Sequence, residues 1–274
     1  FFQTFFLHRY ASHAAFTMGP ITEKIFFVLT WIFQGSNYLS PYGYGVMHRM
    51  HHAFADTEND PHSPKYDETI FNMMWKTKTI YSKIASGKEI PEKRFTNGVP
   101  RWDFFDRFAR SWPSRLSWGL SYVVFYYFFA TEIWLWVLLP IQFLFSPIHG
   151  AIINWFAHKY GYRNYEVKDT SRNFLPFDFL MMGELYQNNH HRFPTKNNFS
   201  QLIGSQTKDL SGAIDFSMEL PVIIVSDASV GSLFFNSSQN FLSDQFSIFS
   251  SKEVCICLLY TSDAADERSS VDLG

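Results

Sequence analysis

The longest apolar stretch of the chain covers residues 116–153, in which Glu132 and His149 are the only acidic or basic side chains. As one straight helix these 38 residues would be about 57 Å long, nearly twice the ~30 Å hydrocarbon thickness of a bilayer. We therefore predict a hairpin of two membrane passes joined by a tight turn at residues 130–132. Trp134 and Trp136 follow the turn, as expected for the aromatic belt of a membrane interface.

Two shorter apolar stretches precede the hairpin. The opening run FFQTFFLHRY is too short to cross a bilayer, and we interpret it as the last turns of a longer helix that begins before this sequence. Residues 21–38 are interrupted by Gln34, Gly35 and Asn37, which favours an interfacial or buried helix. The following PYGYG predicts a turn, residues 56–64 a polar loop, and residues 65–112 a water-exposed region.

Basic residues flank the hairpin on both sides and are missing from its turn. They are Arg101, Arg107, Arg110 and Arg115 before it, and Lys159, Arg163, Lys168 and Arg172 after it. By the positive-inside rule both outer ends face the cytoplasm, so residues 1–112 and 154–199 share one side of the membrane. We predict an integral, multi-pass protein of the bacterial inner membrane or the endoplasmic reticulum, with the lipid bilayer as a partner.

The net charge of -2 averages two unlike parts of the chain. Residues 1–199 carry 20 Lys and Arg against 15 Asp and Glu, whereas residues 200–274 carry 3 against 10. This balance argues against a strongly basic nucleic-acid binder, and we expect no nucleic-acid partner. Residues 200–274 follow no sustained helical or strand period, so we interpret them as an atypical tail, either disordered or an artefact of the nucleotide sequence.

All ten histidines lie in residues 1–199, and most of them form groups with regular spacing. Positions i, i+3 and i+4 share one face of an α-helix, so the histidines of such a group project in one direction. The groups are His8 with His13, then His48 with His51 and His52, then Asn154 with His158, and finally Gln187 with His190 and His191. We interpret the lone His62 as structural and His149 as a buried, hydrogen-bonded residue of the hairpin.

The grouped histidines indicate a metal site. Eight imidazoles are too many for one tetrahedral zinc and suit two metal ions with about four nitrogens each, and residues 1–199 contain no Cys. A pair of redox metals beside a membrane indicates oxygen activation on a lipid, because unactivated C–H bonds need an oxidant that side chains cannot supply.

The segments HRYASH, HRMHH with DPHSP, NWFAHKYG and GELYQNNHHRFP resemble the histidine boxes of integral-membrane fatty acid desaturases, above all those of the stearoyl-CoA (delta-9) type. The resemblance covers residues 1–199.

It implies an all-α fold of multi-pass membrane helices with a cytosolic helical cap that holds a histidine-rich di-iron site. It also implies O2-dependent insertion of a cis double bond, at delta-9, into an acyl-CoA or acyl-lipid substrate. Electrons would come from NAD(P)H through a reductase and cytochrome b5 or a ferredoxin. The first pass and most of the second would precede this sequence.

Carried over by position, the resemblance implies eight iron ligands: His8, His13, His48, His51, His52, His158, His190 and His191. Asn154 matches an Asn that reaches one iron through water. Gln187 stands where the family has the first His of its last box, and its amide oxygen could bind iron directly or through water. Val46 and Met47 stand where animal acyl-CoA enzymes carry an Arg-Asp pair, which disfavours CoA as the carrier, although Lys76, Lys78 and Lys83 could still meet phosphates.

Asp56, Asp60 and Glu184 are the acidic residues that we expect to accept ligand N–H bonds and fix the imidazole tautomers. Two other functions fit the same histidine pattern. A membrane di-iron hydroxylase of a lipid or hydrocarbon would have similar ligands. A non-catalytic metal-binding or metal-transport protein would place its ligands inside the passes, whereas these groups lie outside them.

Overall fold

A computed structural model describes residues 1–178 and 181–199, together with the backbone of two short strands. These strands, β1 (Val222–Ile224) and β2 (Cys257–Leu259), pair antiparallel with Ile223 opposite Leu258. The interpretation of residues 200–274 as an atypical tail otherwise lies outside the described residues.

Helices are the regular elements of residues 1–199, as the predicted fold class requires. A π-helix, Gln3–Ser12, opens the chain. The α-helices are α1 (Pro20–Gln34), α2 (Pro41–Phe54), α3 (Ile70–Ala85), α4 (Lys93–Thr96), α5 (Asp103–Ala109), α6 (Trp112–Phe129), α7 (Leu138–Phe143), α8 (Phe145–Ala151), α9 (Ala157–Lys159) and α10 (Gln187–Arg192). Short 3-10 segments cover Gly35–Asn37 and Ile133–Val137, and a second π-helical segment covers Ile152–Phe156.

The opening π-helix explains the five-residue spacing of His8 and His13. The His13 N–H donates to the His8 carbonyl at 3.2 Å, a bond across five residues. On an α-helix residues five apart lie about 140° apart around the axis, whereas a π-turn returns to the same side after five residues. The two rings therefore project together, with centroids 4.9 Å apart.

Helix α2 begins where the sequence predicts a turn, so that prediction is wrong. Pro41 occupies the first helical position, where a backbone N–H would have no partner within the helix, so the lack of one in proline costs nothing. Ser40 caps the helix, since its Oγ accepts a hydrogen bond from the Gly43 N–H at 3.2 Å. Gly45 lets the helix approach the π-helix closely, because a Cβ there would lie 2.9 Å from the Ala11 carbonyl oxygen. This close packing sets His48 beside His8 and His13.

The predicted hairpin is present and its second arm is broken. The chain reverses at residues 130–132, and Tyr122 then lies against Phe143 with ring centroids 5.7 Å apart. The break falls at Leu144, between α7 and α8. In a continuous helix the ring of Pro147 would clash with the carbonyl group of Phe143, four residues earlier.

The hairpin presents many apolar side chains to the outside. Leu116 and Leu120 are each 65% exposed and Ile133 is 84% exposed. Among the described helices, none is by itself long and apolar enough to cross a bilayer. The bent pair Ile133–Phe143 and Phe145–Lys159, which meets at 62°, could do so by length and composition. The multi-pass topology therefore stays a prediction.

Both ends of the hairpin are attached to the same helical region. At the first end Arg115 donates to the Ser36 carbonyl at 2.6 Å, and the Trp31 Nε1–H donates to Ser114 Oγ at 2.8 Å. At the second end the Gln3 amide contacts His149 Nδ1 at 3.0 Å, so His149 is buried and hydrogen-bonded as predicted. Residues before and after the hairpin thus come together in space.

Ser40→Ala should destabilise the protein by about 1–2 kcal/mol. The change removes the cap of α2 and also the bond from Ser40 Oγ to the buried carboxylate of Asp106 at 2.5 Å. Unfolding of the detergent-solubilised protein by heat or denaturant measures the loss. Thr69→Ala is the matched control, since Thr69 caps α3 at an exposed position, and it should cost less, about 0.5–1 kcal/mol. Equal losses would contradict a special role for Ser40.

Candidate metal centre

Five imidazoles converge between the π-helix, α2 and α10. The Nε2 of His48 lies 3.0 Å from that of His8, 2.8 Å from that of His13 and 3.0 Å from that of His52. The Nε2 of His190 lies 3.1 Å from that of His8 and 2.9 Å from that of His52. We call these five residues cluster A. Two nitrogens bound to one ion at ~2.1 Å would lie roughly 3.0–3.4 Å apart, so the spacing fits a shared ion.

A second group, cluster B, consists of His51, His158 and His191, whose ligand-capable atoms lie within 4.8 Å of one another. The Nε2 atoms of His51 and His191 are 3.3 Å apart. His158 is buried, and neither of its ring nitrogens has a hydrogen-bond partner within the described part of the chain. Helix α2 thus serves both clusters, since His48 and His52 face cluster A while His51 faces cluster B.

Three carboxylates contact the Nδ1 atoms of three clustered rings, on the side of each ring opposite to its Nε2 atom. Glu184 contacts His8 Nδ1 at 2.5 Å, Asp60 contacts His51 Nδ1 at 2.8 Å, and Asp169 contacts His191 Nδ1 at 2.9 Å. Asp60 and Asp169 accept the Nδ1–H of their rings, which in a neutral ring leaves Nε2 with a free lone pair, and Glu184 lies in contact with His8 Nδ1. Metal-binding histidines in proteins are oriented in this way.

The spacing of the rings and their hydrogen-bond partners fit a cation held between them. When Asp60 and Asp169 accept the Nδ1–H of neutral His51 and His191 rings, the two Nε2 lone pairs face each other across 3.3 Å. Two buried acceptors at that distance repel unless a positive charge lies between them. In cluster A, five largely buried rings bring neighbouring Nε2 atoms to within 2.8–3.1 Å of one another.

Burial and the facing imidazoles lower the pKa values of His13, His48, His52 and His190 well below the usual range. These rings are therefore neutral at physiological pH and can donate lone pairs. Burial by itself would raise the pKa of Asp60, but the His51 ring and its hydrogen bond outweigh burial and lower it. An ionised Asp60 is what the His51 Nδ1–H requires.

Glu184 and Asp60 thus lie where the sequence predicts carboxylate partners, whereas Asp56 does not. Asp56 accepts bonds from Ser63 Oγ at 2.7 Å and from the Thr170 N–H at 2.5 Å, and it meets no histidine among the hydrogen bonds of the described residues. Its carboxylate instead fastens the loop that presents Asp169. A backbone N–H competes well for a buried carboxylate, and the sequence gives no sign of that competition.

Asp169 is the site residue that the sequence interpretation missed. It lies 22 residues before His191, in a segment without helix or strand, and its other oxygen accepts the Ser171 N–H at 2.9 Å. A turn-forming Asp before Thr and Ser is a common loop pattern, so the sequence offers no signal that singles it out.

The two remaining predicted donors lie in helical segments next to clustered histidines. Gln187 is buried at the start of α10, and its amide Nε2–H donates to the Glu184 carbonyl at 2.7 Å, which leaves Oε1 as its possible metal donor. Asn154 lies half-buried in the second π-helical segment, just before His158. His62, interpreted from sequence as structural, stacks on the His51 ring with centroids 4.1 Å apart.

Comparison with known proteins adds an independent finding. Residues 1–200 match the family model described as fatty acid desaturase. The chain is 30% identical over 189 residues to the sn-1 stearoyl-lipid 9-desaturase of Synechocystis sp., a match that covers 68% of this chain and 55% of that protein. It is 28% identical over 198 residues to the Delta-9 desaturase-like 5 protein of Arabidopsis thaliana, covering 69% and 60%. The Delta-9 acyl-lipid desaturase 2 of the same plant is 27% identical over 191 residues, covering 68% and 57%. The chain therefore spans at most about 60% of the length of these relatives.

Asp169→Asn should weaken divalent metal binding roughly 10–100-fold, because the amide keeps the shape of the side chain but no longer holds the His191 tautomer by its charge. Titration of the purified protein with Fe²⁺ against a competing chelator measures the affinity. Glu166→Gln, an exposed acidic residue of the same loop, is the control and should leave the affinity unchanged. An Asp169→Asn protein with wild-type affinity would exclude the proposed role of this carboxylate.

Proposed function

The chain belongs to the fatty acid desaturase family, and from that premise we propose that it is an O2-dependent di-iron acyl desaturase. In the proposed reaction a –CH2–CH2– unit of a saturated acyl chain becomes a cis –CH=CH– unit. The two hydrogens, together with two electrons and two protons from an external donor, reduce O2 to two molecules of water. The observation that carries the proposal is the convergence of eight imidazoles into two clusters within one family-matched region.

Two iron ions would be held by clusters A and B, with Asn154 reaching one of them through water. Bound iron would supply the oxidising power toward an unactivated C–H bond that side chains lack. Imidazole nitrogens without thiolates suit redox iron. Gln187 would offer its amide oxygen to the centre, as a weaker donor than imidazole.

The residues of this chain have three tasks around that centre. In the metal-bound site Glu184, Asp60 and Asp169 would hold a proton on the Nδ1 atoms of His8, His51 and His191, so that each Nε2 would donate its lone pair to iron. Arg9 donates to Glu184 at 2.8 Å and balances its charge in a buried place. Burial of the rings excludes bulk water, which limits side reactions of the oxidant.

An acyl chain attached to a lipid is the substrate class that we propose. Val46 and Met47, which replace the charged pair of animal acyl-CoA enzymes, are buried in the apolar core around α2 and offer no contact for a CoA group. The relatives from Synechocystis and Arabidopsis carry the terms stearoyl-lipid and acyl-lipid in their names. Position delta-9 is proposed from those names and from the histidine boxes.

The apolar hairpin would place the centre at the membrane. Its exposed apolar surface is larger than single scattered side chains produce, and such surfaces mark contact with lipid or protein. Both ends of the hairpin are attached to the histidine-bearing region, and the positive-inside rule would put that region on the cytoplasmic face. There it would receive electrons from NAD(P)H through a reductase and cytochrome b5 or a ferredoxin.

Expression in a desaturase-deficient host tests the function. We expect monounsaturated fatty acids with a cis-delta-9 bond in the membrane lipids, identified by mass spectrometry after derivatisation of the double bond. The longest reading frame that contains this chain should be used. His51→Ala should abolish the product and lower the bound iron, because His51 supplies a lone pair to cluster B.

His149→Ala is the matched control, since His149 is another buried histidine but belongs to neither cluster, and it should retain the product. A hydroxylated fatty acid without alkene would favour the hydroxylase alternative instead. Zinc as the sole metal, with no product, would favour a non-catalytic metal-binding protein.

A further inference from the structure

Cluster B has fewer imidazoles than cluster A. Cluster A brings five rings together, whereas cluster B contains His51, His158 and His191. Three protein ligands are the minimum of known four-coordinate sites, and further positions then need another donor. Any further ligand of a metal ion in cluster B must therefore come from the residues or the solvent around the three imidazoles.

His62 lies next to this cluster, and its ring nitrogens are unpaired within the described residues. Its ring is 2% exposed and stacks on the His51 ring at 4.1 Å with an angle of 28° between the planes. One ligand-capable atom of His62 lies within 4.8 Å of such atoms of His51 and Asp60. Within residues 1–178 and 181–199, neither ring nitrogen of His62 has a hydrogen-bond partner.

The polar atoms beside His62 are already engaged. Asp60 Oδ1 accepts from His51 Nδ1 at 2.8 Å and from the His62 backbone N–H at 3.0 Å, and Asp60 Oδ2 accepts from the Asp56 N–H at 2.9 Å. Both carboxylate oxygens of Asp60 thus already accept hydrogen bonds from other groups, and the His62 ring is not among their partners. A buried imidazole that has no partner among the described residues is satisfied by a water or a metal ion.

The loop that carries His62 is firmly attached. Asp56 closes it through the bond from Ser63 Oγ at 2.7 Å, and Asp60 ties its backbone at two points. A pre-organised loop of this kind positions a ligand without a large loss of conformational entropy. The loop begins directly after α2, whose last turn holds His51 and His52.

We propose that His62 is a further nitrogen ligand of the metal ion in cluster B, supplied by the loop after α2. The inference rests on the proposed function in one respect, namely that cluster B holds a metal ion. It adds a residue to the eight histidines that the box pattern assigns, and it raises cluster B from three imidazoles to four.

Titration of the purified, detergent-solubilised, metal-free protein with Co²⁺ tests the proposal without reference to activity. The wild-type protein should bind two Co²⁺ per chain. His62→Phe keeps a flat ring stacked on His51 but has no nitrogen that could bind a metal. In this variant the dissociation constant for one of the two Co²⁺ ions should rise at least tenfold. X-ray absorption at the cobalt edge should then report fewer imidazoles per ion than in the wild-type protein.

His149→Phe is the matched control, because His149 is also buried but contacts Gln3 rather than either cluster. It should keep both Co²⁺ ions. His62→Gln, a polar replacement, covers the case in which the Phe variant fails to fold, and it should weaken the same single site.

Two wild-type-like Co²⁺ affinities and an unchanged imidazole number in the His62 variants would overturn the proposal and leave His62 as the partner of a buried water. Equal losses in the His149→Phe protein would also overturn it, since they would arise from disturbed packing. A wild-type protein that binds two Co²⁺ ions but forms no unsaturated lipid would sink the proposed function while the His62 assignment stands.

Discussion

The crowding of buried imidazole nitrogens is the constraint on which the arrangement of the histidine-bearing segments depends. Nε2 atoms of neighbouring rings lie 2.8–3.3 Å apart, and carboxylates contact the opposite nitrogens of three of the rings. A bound cation turns the same distances into a favourable arrangement. Metal binding and folding of this region are therefore expected to be strongly linked.

The supporting contacts connect segments that are far apart in the chain. Arg9 reaches from the π-helix to Glu184 and also donates to the carbonyls of Met182 and Asn197, so it links the first histidine group to the last. Asn189 adds a second link, since its side chain accepts from Asn173 Nδ2 at 2.9 Å. The short helix α10 has little stability of its own. These side-chain bonds attach α10 and the residues on either side of it to the π-helix and to the segment that contains Asn173.

Local spacing predicted the part of the site that one helix controls. The i, i+3, i+4 pattern predicted that His48, His51 and His52 lie on one face of a helix, and α2 carries all three, but His51 turns to cluster B while His48 and His52 turn to cluster A. The pairing of His8 with His13 needed a π-helix, which follows no simple pattern of apolar residues. The turn predicted at PYGYG became a helix start because the Ser40 cap outweighs the two glycines. Asp169 lies in an irregular loop, and only the three-dimensional path of that loop brings it to His191.

The π-helix also limits how this segment can change in evolution. A π-turn corresponds to one extra residue within an α-helix, so its geometry depends on length rather than on particular side chains. Many substitutions between His8 and His13 could keep both rings in cluster A if they preserve the packing of Ala11 against α2. Deletion of one residue would instead rotate one imidazole by about 100° and remove it from the cluster. Insertions and deletions, more than substitutions, are the changes this segment is expected not to tolerate.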